Sequence, residues 1–259
     1  MNDITIMPDW PDAPAGGWKP ALSTTGIHLW LVDLDQAKRL SELAALLTED
    51  ERERAMRFRF PEHRDRFIAG RGLLRQLLAA YLDRPAAALR FEHGPHGKPA
   101  LAGEEAEAGL HFNLSHSRGQ GLYAIARREV GVDVERLDRP LNYAAIIDRI
   151  CTQRELALFQ AQQPGREREA FFACWTRKEA MAKALGGGLA TGLRTLDVGL
   201  CADSRSDERT NMSDRLGRKW SVLNLELGSG WIGALAASGA DWRWRGWRLQ
   251  DHFFDLNER

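Results

Sequence analysis

The chain has only three cysteines in 259 residues, Cys151, Cys174 and Cys201, an odd number without metal-ligand spacing. That argues against a disulfide framework and against a zinc site, and it sets the expectation of a cytoplasmic protein with reduced thiols. There is no excess charge of either sign, because 36 Lys and Arg balance 36 Asp and Glu. No global field therefore draws the chain to nucleic acid or a membrane surface, and an anionic ligand must be held by a local cluster of bases. No apolar run approaches the ~20 residues of a membrane helix. The first twenty residues are rich in Pro, Gly, Asp and Trp and lack the basic-then-apolar layout of a signal peptide. Gly186-Gly-Gly188 lacks the Gly-Lys-Ser/Thr ending of a phosphate loop and reads as a helix stop. What remains is ordinary globular material, 44% hydrophobic and 28% charged. Its length suits one large domain or two small ones.

Hydrophobic periodicity places a strand at 26–32, with Ile27, Leu29 and Leu31 on one face, and a helix at 36–47. Thr48-Glu-Asp-Glu51 fits a capping box, in which hydroxyl and carboxylate each satisfy one orphan amide. A long helix follows from about residue 62 to 82, with Phe67, Leu74, Leu77, Leu78 and Tyr81 on its buried side. Short alternating segments come next, at 89–92, 110–114, 122–127 and 129–135. The second half repeats this order. It has a helix at 142–150, a second capping box at Thr152-Gln-Arg-Glu155 and a long helix at 166–185. Strands are expected at 193–200, 220–227, 231–237 and 242–249, with a polar loop at 203–218. Short strands beside one long helix per half predict an α+β fold of two pseudo-symmetric halves, each an antiparallel sheet packed with a long helix.

Four groups of residues carry chemistry. In Gly131-Val-Asp-Val-Glu135 a strand puts Asp133 and Glu135 on one face and the valines on the other. This is either a hard-cation platform or a strand with one wet face. In Trp175-Thr-Arg-Lys-Glu-Ala-Met-Ala-Lys183, residues 175, 179 and 183 share one helical stripe. Glu179 and Lys183 are either a surface pair or, because the flanking Phe171, Phe172 and Met181 bury much of the helix, groups with a task. Phe112-Asn-Leu-Ser-His-Ser117 leads into a turn where Ser115 and His116 can donate to phosphate oxygens, and no Asp/His spacing nearby supports a hydrolytic triad. The bases Arg54, Arg57, Arg59, Arg66, Arg71, Arg75 and Lys98 form a dispersed cationic set around the first long helix and the Gly-Lys-Pro turn.

In their order and spacing these motifs resemble the surfactin-type 4′-phosphopantetheinyl transferases. That family carries Gly-(Ile/Val)-Asp-(Ile/Val)-Glu, here Gly131–Glu135, followed by Trp-(Ser/Thr)-x-Lys-Glu-Ala-x-x-Lys, here Trp175–Lys183. Its Phe-Asn-(Ile/Leu)-Ser-His-Ser stands at Phe112–Ser117 and its Gly-Lys-Pro at Gly97–Pro99. Its arginine-rich entry helix matches 54–58 and 66–71, so the resemblance spans about residues 48–192. Glu51 sits where some members carry Lys. The resemblance implies a monomer of two halves, 1–128 holding the nucleotide of coenzyme A and 129–259 holding the metal and catalytic groups. Asp133, Glu135 and Glu179 would bind Mg²⁺. Glu179 and Lys183 would be catalytic, and Arg54, Arg66, Arg71, Lys98, Ser115, His116 and Lys183 would hold coenzyme A. The partner would be an apo acyl or peptidyl carrier protein of fatty-acid, polyketide or nonribosomal-peptide synthesis, with no nucleic acid and no membrane involved.

Two rival readings start from the same residues. An Asp-x-Glu strand also suits a metal-dependent nuclease or nucleotidyl transferase. Arg57-Phe-Arg-Phe60 and Trp242-Arg-Trp-Arg-Gly-Trp247 interleave bases with aromatics, as a nucleic-acid binder does. Period-two alternation reads the second of these segments more simply as a strand with an apolar face.

Overall fold

The computed structural model describes residues 10–13, 20–37, 39–187, 192–200 and 209–249. Its elements follow the expected order. The first half contains β1 (Gly26–Asp33), α1 (Leu40–Ala45), α2 (Glu49–Met56), α3 (Pro61–Leu82), β2 (Phe91–His93), β3 (Pro99–Leu101), β4 (His111–Ser117) and β5 (Gln120–Ala126). The second contains β6 (Val130–Arg136), α4 (Ile147–Ile150), α5 (Gln153–Gln160), α6 (Glu167–Ala184), β7 (Thr210–Ser213), β8 (Lys219–Glu226), β9 (Trp231–Ser238) and β10 (Arg243–Arg248). Pro61 starts α3, where its missing amide costs nothing. Asp83 ends it in the left-handed region at φ 53°. Both capping boxes form, Thr48 with Glu51 and Thr152 with Glu155.

Two four-stranded sheets run in the orders β10-β1-β5-β4 and β6-β9-β8-β7, beside a β2-β3 hairpin. Among the described strands the pairings are antiparallel except β1 with β10, which is parallel in the register Gly26↔Arg243 and is extended by an isolated parallel bridge from Asp12 to Arg248. The last strand therefore joins the first sheet, although a cut at 128/129 separates the other strands of the two sheets.

Strand alternation sorts the side chains into layers. Trp30, Val32, Tyr123 and Ile125 pack against Leu74, Leu77 and Leu78 of α3. From the opposite faces of the same strands, Ile27, Leu29, Leu31, Leu122 and Ala124 meet Val132, Val134, Leu223 and Leu235 of the second sheet. The other face of that sheet, including Val222, Ile232 and Ala234, packs against Phe171, Phe172 and Met181 of α6. The result is helix, sheet, sheet, helix, with the edge strands β4 and β6 against one another at the seam between the halves. No helix among the described residues is long and apolar enough to cross a membrane.

Several expectations are corrected. The strand expected at 193–200 is a 3-10 turn (Leu193–Thr195) followed by irregular chain. Buried charged side chains take its backbone bonds in place of a ladder. Lys178 donates to the carbonyls of Leu193 and Leu196, Arg177 to that of Val198, and the Val198 amide donates to Glu155. The polar loop expected at 203–218 contains β7, while 203–208 lie outside the described residues, as does Gly188 of the expected helix stop. Of the helix expected at 36–47, only 40–45 is α-helical among the described residues, and the segment 142–150 is a 3-10 turn followed by α4. The aromatics of β10 face protein. Trp247 lies 5.1 Å from Trp30 and Trp244 lies 5.8 Å from Trp10, ring centre to ring centre.

Candidate active site

Gly131, Asp133 and Glu135 alternate along the face of β6 that looks toward α6. The glycine lets the helix approach: a Cβ there would lie 2.1 Å from the Ala180 carbonyl oxygen and 2.4 Å from the Ala184 nitrogen. That close approach brings Glu179 and Lys183 of α6 over Asp133 and Glu135. Between Ala170 and Ala184, only residues 175, 179 and 183 of α6 are not fully buried. The stripe expected from sequence is thus the partly exposed face of this stretch of helix, with Trp175 stacked on Phe171 at 6.0 Å. Lys178, one residue from Glu179, has no such role. It is fully buried on Glu155 at 2.7 Å and braces the chain after the helix.

Asp133 and Glu135 are themselves buried, at 5% and 8% exposure, so each needs partners. Oδ1 of Asp133 accepts from Ser115 Oγ at 2.8 Å and Lys183 Nζ at 2.7 Å, while Lys183 also donates to Ser115 Oγ at 2.8 Å. Glu135 accepts from Ser117 Oγ at 2.9 Å and from the Arg139 guanidinium on its other oxygen. Two oxygens, Oδ2 of Asp133 and Oε1 of Glu179, are buried with no hydrogen-bond partner among the described residues. Burial, then the negative charges of Asp133 and Glu135 against the opposing charge of Lys183, push the Glu179 carboxyl above its ordinary value. Unpartnered carboxylate oxygens in such a field fit a hard divalent cation. As they stand, the three carboxylates do not converge. Among the described residues, the set of potential ligand atoms within 4.8 Å of one another is Cys151, Glu155 and Cys174. Glu155 there is already committed to Lys178 and to the amides of Thr152 and Val198.

The expected phosphate-binding residues fall into two groups. Ser115 and His116 lie within β4 rather than in the turn after it, and so point to opposite faces. Ser115 joins Asp133 and Lys183. The residue His116 lies at the surface as a whole, but its ring is desolvated enough that this, and then the charges of Lys183, Arg66 and His63, push the imidazole down. Arg66 is paired with Asp35 at 2.6 Å. Arg54 is exposed, with its guanidinium over the Phe67 ring at 5.4 Å. Arg71 reaches Glu51 at 3.3 Å, but its Nη1 is buried without a partner among the described residues. Glu51 also holds the buried Arg75 at 2.8 Å, so an acid at that position anchors α2 to α3. Lys98 donates to the carbonyls of Val130 at 3.0 Å and Ala184 at 3.3 Å, and burial lowers its amine to about 8. It ties the hairpin tip to β6 and to the end of α6.

Sequence reasoning missed Asn113, Ser117 and Arg139 as individual contributors. Asn113 Oδ1 accepts from the Val132 amide at 2.9 Å, so alternate residues of β4 (113, 115, 117) all grip β6. The alternation of Phe-Asn-Leu-Ser-His-Ser was the available signal.

A family model of the 4′-phosphopantetheinyl transferase superfamily matches residues 129–236, and one described as 4′-phosphopantetheinyl transferase, N-terminal, matches 35–128. The 4′-phosphopantetheinyl transferase HetI of Nostoc sp. is 37% identical over 223 residues, 85% of this chain and 91% of its own length. The chain belongs to the 4′-phosphopantetheinyl transferase superfamily. It is similar also to the 4′-phosphopantetheinyl transferase psf-1 of Bacillus pumilus, at 30% identity over 69% of this chain and 75% of that protein. A putative 4′-phosphopantetheinyl transferase of Synechocystis sp. is 32% identical over 64% of this chain and 67% of its own length. Within this superfamily member, the two matched segments meet at 128/129, beside the β4–β6 seam that holds Ser115, Asp133 and Lys183.

Proposed function

We propose that this transferase moves the 4′-phosphopantetheine arm of coenzyme A onto a serine of an apo acyl or peptidyl carrier protein, acting as a monomer and releasing 3′,5′-ADP. The observation that carries the reading is the grouping of Asp133, Glu135, Glu179 and Lys183 where β6 faces α6, with unpartnered oxygens on Asp133 and Glu179. Mg²⁺ would be held by Asp133, Glu135 and Glu179, and when bound it supplies neutralisation of the pyrophosphate charge. Glu179, its carboxyl already pushed toward proton uptake, accepts the proton of the carrier serine directly or through one water. The serine oxygen then attacks the phosphorus that bears the pantetheine arm, and the bond to the 3′,5′-ADP oxygen breaks. Lys183 follows the leaving phosphate with its positive charge. Arg66, Arg71 and Arg54 supply the cationic side on which the nucleotide phosphates lie, His116 offers a ring N–H beside it, and Ser115 and Lys98 stand at its seam.

Intact-protein mass spectrometry of an apo carrier incubated with this chain, coenzyme A and Mg²⁺ tests the proposal. The expected result is a gain of one phosphopantetheine unit, abolished by EDTA and by changing the carrier serine to alanine. No gain across fatty-acid, polyketide and peptide carriers, with coenzyme A also failing to raise the melting temperature, would overturn it.

A further inference from the structure

Each buried carboxylate of β6 is held by one serine hydroxyl from β4 and one cation from its own half, yet the two arrangements differ in which oxygens remain open. At Asp133, Ser115 and Lys183 share Oδ1, and Oδ2 is left without a partner among the described residues. At Glu135, Ser117 takes Oε2 and Arg139 takes Oε1, so both oxygens are engaged. A hydroxyl is neutral and can keep donating while a divalent cation binds the other oxygen. A guanidinium cannot, because two positive charges would then compete for one oxygen. The Arg139 side chain is 45% exposed against 10% for that of Glu135, so the cationic partner is the one able to leave into water. Its backbone is fixed, since Arg168 of α6 donates to the carbonyls of Leu137 and Arg139. Only the side chain has to move.

We propose that Ser117 is a positioning residue that aims Glu135 into the site, and that Arg139 is a stand-in counter-ion which a divalent cation displaces. This rests on the proposed metal role of Asp133, Glu135 and Glu179. The two partners then have opposite effects on cation affinity, which a general loss of packing would not produce.

The test is calorimetric titration of the full chain with Mn²⁺ in the presence of coenzyme A, comparing wild type with Ser117→Ala, Ser117→Thr, Arg139→Gln and Asp133→Asn. Ser117→Ala is expected to weaken Mn²⁺ binding about tenfold, as loss of a ligand's supporting hydrogen bond does. Ser117→Thr keeps the hydroxyl and restores affinity. Arg139→Gln is expected to tighten binding about two- to five-fold, the range an exposed ion pair commands. Unchanged affinity in Ser117→Ala, or weaker binding in Arg139→Gln, overturns the proposal. If Asp133→Asn abolishes binding in that same experiment, the metal reading stands and only the positioning role is lost. A wild type that takes up no Mn²⁺ overturns both. Should Ser117→Ala not fold, the sign of the Arg139→Gln change decides alone.

Discussion

Glu179 is set against the stability of the protein that carries it. Its carboxyl is pushed up chiefly by burial and then by Asp133, so the folded state prefers it protonated. The stabilisation from that preference is complete below the ordinary value of 4.5 and is lost as pH rises through the raised folded value. Ionising Glu179 in the metal-free protein therefore lowers stability in this cluster, a common cost of a built active site. Glu179→Gln removes the charge and keeps the shape. In EDTA at pH 7 its melting temperature should equal or exceed that of wild type, with the gap closing toward about pH 4, where the native carboxyl is itself protonated. Phosphopantetheine transfer by the same variant should fall at least about 10²-fold, the contribution of a positioned base. Thermal melts across pH beside the mass assay check both halves. A melting temperature well below wild type at pH 7 would show that Glu179 is a structural partner instead.

At the scale of elements, the contact between β6 and α6 determines whether those groups meet. It depends on Gly131, because the atoms that a Cβ would strike belong to helix backbone and cannot rotate away. Gly131→Ala should lower stability by about 3 kcal/mol, at the upper end of overpacking costs, in urea unfolding. It should also reduce transfer, even though alanine is small and touches no ligand. Wild-type stability would mean the helix can recede without loss. The two long helices and both capping boxes were legible because their signals are local: 3.6-residue periodicity, and a hydroxyl three residues before an acid. Asp133 and Glu135 were legible by period two, and Glu179 with Lys183 by period four. The chain at 193–200 was not, since what displaces its ladder is a set of bonds from Lys178, Arg177 and Glu155, remote charges that no pattern of Leu193, Leu196 and Val198 reports. Ser117 and Arg139 were hidden for a related reason. The Ser117 bond to Glu135 exists only because two sheet edges meet, and Arg139 lies beyond the strand whose alternation singled out Glu135.

For the whole molecule, the two halves are less separable than the repeated order of elements suggests. A boundary at 128/129 divides β5 from β6, but β10 returns to lie parallel to β1 and closes that edge of the first sheet. Residues 1–128 alone would expose the backbone of β1, where Ile27, Leu29 and Trp30 are fully buried in the intact chain, and Trp30 would lose the Trp247 ring. An open edge of that kind invites aggregation. They would also lose the second sheet, against which Leu29, Leu31 and Leu122 pack. Expressed alone, residues 1–128 should therefore elute as aggregate in size-exclusion chromatography and show no cooperative thermal transition. Co-expressed with 129–259 as a separate chain, they should form a one-to-one complex with a cooperative melt. The second fragment then supplies both β10 and the strand that Asn113, Ser115 and Ser117 grip. A cooperative melt from 1–128 alone would show that the first half folds by itself. The returning strand would then fasten two finished halves together, and the seam at Asp133 would be a docking of preformed surfaces.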